Sequence, residues 1–182
     1  MSATYQITSL TTLETSTVSL DELSKRLQLN SIVSFEGSPI GLFTHWDLVF
    51  LSRTWAGWAL EECGEKPPEE ALCALSLIDQ WLQDPGSVSG KELSAAAGTA
   101  ETAAWVAPKA ARAARAAAEA AGCAARAAET TAGAVAAARA AARASARASP
   151  RVGRAAAYQK QGEFIIEHLK NSSKSSFPSA RA

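Results

Sequence analysis

Between residues 95 and 148, 31 of 54 residues are alanine. Alanine is the strongest helix former, because its side chain loses no rotamer freedom on folding. The segment is therefore expected to be helical throughout. The same methyl buries little area, so alanine surfaces contribute to a core only where helix axes approach closely. The large apolar residues of the segment are Trp105, Val106 and Val135. Breaks are expected at Pro108, Gly122 and Gly133. The pattern reads as two helices, over about 90–121 and 123–148, with Pro108 kinking the first and Pro150 ending the second.

This alanine content also changes the meaning of the overall composition. Of the 182 residues 47% are hydrophobic, yet 41 are alanine, and Leu, Ile, Val and Phe together number 34. A chain so poor in large apolar groups verges on disorder only when its net charge is high. Here 18 basic and 18 acidic residues cancel. Seven prolines, 11 glycines and three cysteines exclude collagen-like, mucin-like and disulfide-scaffold chains and argue against an all-β fold. The expected class is all-α: a compact antiparallel helical bundle with long Ala-rich helices and a poorly structured N-terminal extension.

The large side chains lie before the alanine zone. Residues 1–18 are rich in Thr and Ser without a helical period, which suits a short extended piece or a loose tail. Ser19 is placed as an N-cap for a short helix that ends at Asn30. Gly37, Pro39 and Gly41 mark a connecting loop. From about Thr44 a helix apolar on most sides carries Leu48, Leu51, Trp55 and Trp58 on one face and Trp46, Phe50 and Gly57 on another. It is expected to anchor the core. Gly64 should close it. Pro67, Pro68, Glu69 and Glu70 suit the opening of an amphipathic helix with Leu72, Leu75, Ile78 and Leu82 along one face and Trp81 beside them. Asp84, Pro85 and Gly86 stop that helix. Ser89 and Glu92 form an S-x-x-E capping box for the next. A last helix is expected over about 152–170, with Phe164, Ile165, Ile166 and Leu169. The organisation expected is an extension over 1–44, one bundle over 45–170, and a flexible tail over 171–182.

Charge is divided unevenly along the chain. Residues 1–94 hold 13 acids and 5 bases, and residues 95–182 hold 5 acids and 13 bases. The halves can neutralise each other within one fold, or expose surfaces of opposite sign. Cys63, Cys73 and Cys123 have no metal-ligand spacing, and His45 and His168 lie far apart, so buried free thiols in a reducing cytoplasm are expected. The N-terminus has no apolar signal region, and no apolar run reaches membrane length. No phosphate loop, dinucleotide fingerprint, nucleophile elbow or HExxH pattern is present. Glu61 and Glu62, like Glu69 and Glu70, are adjacent and point apart on a helix. Cys63 reads as a small core residue. No catalytic residue, cofactor or metal ligand is therefore assigned.

The alanine zone itself suits neither an ice-binding helix nor a Lys/Pro-rich nucleic-acid tail. It also lacks the branched a and d residues of a two-stranded coiled coil. Its arginines allow one alternative. Arg139, Arg143, Arg147 and Arg151 recur at i+4, and Arg112 and Arg115 form a second stretch. Arg112, Arg115, Arg139, Arg143 and Arg147 are the candidate set for binding an anion or a nucleic-acid backbone.

The stretch Trp58-Ala59-Leu60-Glu61-Glu62-Cys63-Gly64-Glu65 resembles a segment of an alanine-rich family of bacterial immunity proteins. The junction Ile78-Asp79-Gln80-Trp81-Leu82, followed by Val88 and by Lys91-Glu92-Leu93-Ser94-Ala95-Ala96-Ala97, is similar to that family's entry into its alanine run. The run 110–148 and the close at Ala155-Ala156-Ala157-Tyr158, with Glu163 and Leu169, are similar to its end. The resemblance covers about residues 45–170. It implies a cytoplasmic, non-catalytic protein-binding module that neutralises one protein partner, a cognate toxin, by occlusion. If such a partner is a basic nuclease, Glu61, Glu62, Glu65, Glu69 and Glu70 are the candidate docking residues, since opposite charge speeds encounter. A structural, self-associating helical module is the third reading.

Overall fold

The computed structural model describes residues 4–8, 15–19, 44–62, 67–106, 112–148 and 154–172. The chain divides into two compact units. One is Phe43–Tyr158, and the other combines Met1–Leu42 with Gln159–Ala182.

The described part of the N-terminal segment is an antiparallel hairpin. Strand β1 (Thr4–Thr8) pairs with β2 (Thr15–Ser19), Thr4 opposite Ser19 and Thr8 opposite Thr15. Both strands are rich in β-branched residues, which suit extended backbone. This is more order than a poorly structured extension implies. Ser19 belongs to β2, and the helix expected to follow it lies outside the described residues.

The unit Phe43–Tyr158 is an all-α bundle. Its helices are α1 (His45–Glu61), α2 (Glu69–Gln83), α3 (Gly90–Val106), α4 (Arg112–Glu129) and α5 (Thr131–Ala148). Helix α6 (Arg154–Ser172) begins here and continues into the other unit. Several ends are written locally. Thr44 and Asp47 make a capping box at α1: Asp47 N–H donates to Thr44 Oγ1 at 3.1 Å, and Thr44 N–H donates to Asp47 Oδ2 at 2.8 Å. Ser89 and Glu92 do the same for α3, with Ser89 N–H donating to Glu92 Oε2 at 2.8 Å. These bonds hold the Glu92 carboxyl below its ordinary pKa. Helix α2 ends at Gln83, before Asp84, Pro85 and Gly86.

Among the described residues the alanine zone forms three helices, where two were expected; Pro108, expected to kink the first, lies outside the described residues between α3 and α4, and the break expected at Gly122 is displaced. The break falls at Thr130, whose Oγ1 accepts from the N–H of Gly133 at 3.2 Å, a side-chain cap for α5. Gly122 and Gly133 lie inside helices. At Gly122 the reason is crowding. A Cβ built there would meet Glu101 Cγ at 2.9 Å and the Ala97 carbonyl oxygen at 3.2 Å. The glycine brings α3 and α4 together; it does not end α4.

Helices consecutive in the chain run antiparallel, as do α1 and α4, whereas the packed pairs α1 and α5, and α2 and α4, run parallel. Trp46 Nε1 at the start of α1 donates to the Leu82 carbonyl near the end of α2 at 3.0 Å. The His45 ring nitrogen Nε2 lies 2.7 Å from the Ala127 carbonyl oxygen near the end of α4. Glu101 of α3 pairs with Arg126 of α4, and Glu119 of α4 pairs with Arg147 of α5. Helix α4 packs against α1, α2, α3 and α5. An element with four neighbours must be thin, and α4 carries only Ala, Gly, Cys, Arg and Glu. Its buried surface is almost entirely methyl groups, from Ala114 to Ala128.

The large side chains surround this alanine centre. Trp55 is 1% exposed, and Leu51, Ile78, Leu93 and Val49 are equally enclosed. Trp81 is buried beside His45 in an edge-to-face contact, ring centroids 5.0 Å apart. Trp46 stacks on Phe50, one turn later, at 5.2 Å. The expectation of a core anchored on α1 holds for Leu48, Leu51 and Trp55, whereas Trp46 reaches the surface. Leu72 departs from the expected stripe. It is 46% exposed, while Leu75, Ile78 and Trp81 are buried.

Candidate functional site

The antiparallel order brings five helix termini to one end of the bundle: the ends of α1, α3 and α5 and the starts of α2 and α4. Among the described residues, three of the four exposed large apolar residues lie at that end. Trp105 is 79% exposed and Val106 71%, at the last turn of α3, and Leu72 lies in the first turns of α2. The fourth, Trp46, sits at the opposite end.

Four of the five acids expected to dock a partner also lie at this end. Glu61 is the last residue of α1, and Glu62 is its C-cap. Glu69 and Glu70 occupy the first turn of α2, where the helix dipole favours negative charge. Glu61, Glu69 and Glu70 are exposed and Glu62 is half-buried. None of the four is held in an ion pair among the described residues. Glu65 and Cys63 lie outside the described residues.

The arginines are arranged differently. The Arg115 guanidinium lies over the Trp105 ring, 6.0 Å from its centroid, a cation–π contact at the same end. Arg147 Nη2 donates to Glu119 Oε1 at 2.5 Å. Arg143 is exposed, and Arg139 is half-buried. The side chain of Arg112 and all of Arg151 lie outside the described residues. The i+4 spacing is therefore present on α5, but it does not produce a uniform solvated row. One member is bound to the neighbouring helix and another is half-buried.

Two further arginines tie helices together. Arg53 of α1 grips Asp79 of α2 through both nitrogens, at 2.6 and 2.7 Å, and that carboxylate raises the Arg53 pKa. Arg126 grips Glu101 in the same two-pronged way, at 2.5 and 2.7 Å. The contact lowers the Glu101 carboxyl and raises Arg126. Cys123 lies near both the Glu101–Arg126 and Glu119–Arg147 pairs. Burial first, and the two carboxylates second, push its thiol up to about 11. A thiol held neutral is a poor nucleophile. Cys73 is exposed on α2, contrary to the expectation of buried thiols.

Among the described residues, no three His, Cys, Asp or Glu side chains gather as metal ligands. No described helix is long and apolar enough to cross a membrane. In the sequence Trp105 and Val106 stand out only as large apolar exceptions in the alanine run. Their signal was available: two adjacent large apolar residues at a helix end, just before Pro108. No family model matches the chain, and no curated protein and no solved structure is found to be similar to it.

Proposed function

We propose that this chain is a non-catalytic protein-binding module of the immunity type, which neutralises one protein partner by covering a surface of it. The observation that carries this reading is the composition of one end of the bundle. Exposed Trp105, Val106 and Leu72 lie at the end where Glu61, Glu62, Glu69 and Glu70 present negative charge. Aromatic anchors with a charged rim are the usual make-up of a protein-docking surface. The resemblance to alanine-rich immunity proteins supplies the role, with a toxin as partner. Exposed Cys73, a free thiol, suits a reducing cytoplasm as the site of encounter.

The test is recovery of partners from the native host at near-physiological salt, after nuclease treatment. It compares the wild-type chain with Glu61→Lys/Glu62→Lys/Glu69→Lys/Glu70→Lys. One stoichiometric protein retained by the wild type and lost by the variant is the expected result. A partner retained equally by both would remove the acids from the reading. Nucleic acid that disappears as salt is raised would replace it with backbone binding by the set Arg112, Arg115, Arg139, Arg143 and Arg147. That alternative has less support, because Arg147 is already joined to Glu119.

A further inference from the structure

We infer that Arg115 is a positioning residue, whose charge restrains the Trp105 indole in the free chain and keeps it ready as an anchor. The inference rests on the reading of that end as a protein-docking surface and adds how its aromatic anchor is prepared.

Trp105 is the next-to-last residue of α3 and is 79% exposed. At that exposure, packing against the core does not fix the ring. An indole left to water exchanges among its rotamers. A partner that seats on it must first arrest that motion, and binding weakens by the freedom lost. An aromatic anchor restrained beforehand avoids part of that cost.

The restraint comes from the next helix. The Arg115 guanidinium lies over the ring, its Cζ 6.0 Å from the centroid, where the negative face of an indole attracts a cation. Arg115 is half-buried, and its helix is fixed on α3 farther along, by Gly122 against Ala97 and by the Glu101–Arg126 pair. Two other charged residues of α4 are used differently: Glu119 pairs with Arg147, and Arg126 with Glu101. Arg115 belongs to no ion pair among the described residues, so no carboxylate there competes with the ring for its charge. By spacing, Arg115 belongs with the arginines that could meet an anion. By position, its charge is directed at an indole. Such a contact at a surface shifts an equilibrium by about two- to fivefold. That is enough to bias a side chain with few rotamers and too little to decide the fold, so the ring itself must be read.

The experiment is nuclear magnetic resonance relaxation on the full chain with isotope-labelled tryptophan, comparing wild type with Arg115→Met and Arg115→Lys. The chain has five tryptophans, and the indole N–H signal missing from Trp105→Leu is that of Trp105. Arg115→Met keeps an unbranched apolar stem and helix propensity but removes the charge. The Trp105 indole is expected to be more restrained in wild type than in Arg115→Met. Arg115→Lys keeps a cation and is expected to retain most of the restraint. The side-chain protons of Arg115 are expected to carry an upfield ring-current shift that is lost in Trp105→Leu. Far-ultraviolet circular dichroism checks that the variants keep their helices. An indole equally mobile in wild type and Arg115→Met overturns the inference. A Lys variant as mobile as the Met variant overturns the role of the charge. The two proposals fail separately. A restrained indole on a chain that retains no partner removes only the proposed function, and an unrestrained indole on a chain that retains one removes only this inference.

Discussion

Helices α1 and α2 bury Trp55, Trp81, Leu51 and Ile78, whereas α4 and α5 bury little except alanine methyls. Both regions are closed to water, but by different physics. The first removes large apolar areas from solvent, about 150–250 Å² for each aromatic side chain. The second gains little area per residue. It relies on helix propensity and on dispersion between backbones held close together. The difference follows from position. Helix α4 is surrounded by four others, and only the smallest side chains allow all four to reach it. The outer helices have room for indoles. A central α4 made of small residues, with the buried indoles confined to α1 and α2, is one solution to packing with few large apolar groups.

The comparison can be broken most directly at Trp55. Trp55→Ala should cost about 3–5 kcal/mol, read as a fall of roughly 6 to 20 °C in the thermal midpoint. Its buried indole N–H has no acceptor among the described residues, so the loss is one of packing. The converse change belongs in α4. Ala121 is fully buried there, and Ala121→Leu should cost about 1–3 kcal/mol by overpacking, measured by urea denaturation. A neutral result would show that α4 is not tightly enclosed, and the account of its alanines would fail.

Gly122→Ala sharpens the same point with a single methyl. Glu101 Cγ can swing aside, but the Ala97 carbonyl oxygen, 3.2 Å away, is backbone. The substitution should therefore lose the roughly 1 kcal/mol that Ala normally gains over Gly in a helix interior. A full gain of that size, in the same urea assay, would mean that α3 and α4 have room to spare.

The ion pair beside that contact is a smaller term. A double-mutant cycle on Glu101 and Arg126 should give a coupling below about 1 kcal/mol, because both side chains are well exposed. Its pH dependence has a definite sign. Arg126 holds the folded carboxyl below its ordinary value of 4.5. The contribution is present above that value and is lost as pH falls through the lower folded one. Urea midpoints measured between neutral and acidic pH, with and without Arg126→Ala, isolate it. At Cys123 the sign is reversed. The folded thiol titrates at about 11 against an ordinary 9.0. Its contribution is complete below 9 and disappears as pH rises toward 11. The smallest perturbation is chemical. Iodoacetamide at mildly alkaline pH should modify exposed Cys73 well before Cys123, with peptide mapping to assign each site.

Much of the helical architecture was legible because its signals are local. The Ser89–Glu92 box, the stop at Asp84, Pro85 and Gly86, and the start before Glu69 each depend on residues within one turn. The errors arose where a residue type has two uses. Gly122 reads as a helix breaker, but is required by the approach of α3. Thr130 reads as an ordinary polar residue, but supplies the cap that divides α4 from α5. The acids proposed for docking were legible as a dense cluster of charge. The apolar partners of that cluster were not, because Leu72 fits the periodicity of a buried stripe as well as Leu75 does.

The sequence alone determined that this chain is helical, since the propensity of alanine acts residue by residue and needs no neighbour. It determined several of the helix ends for the same reason. Only the tertiary structure decided which helices those methyl faces meet, because a face of methyls fits any neighbour whose backbone can come close. Only the tertiary structure decided that Trp105, Val106 and Leu72 share one end with the acids and Arg115. That gathering depends on antiparallel order across residues 61 to 115, a range over which spacing carries no information about contact.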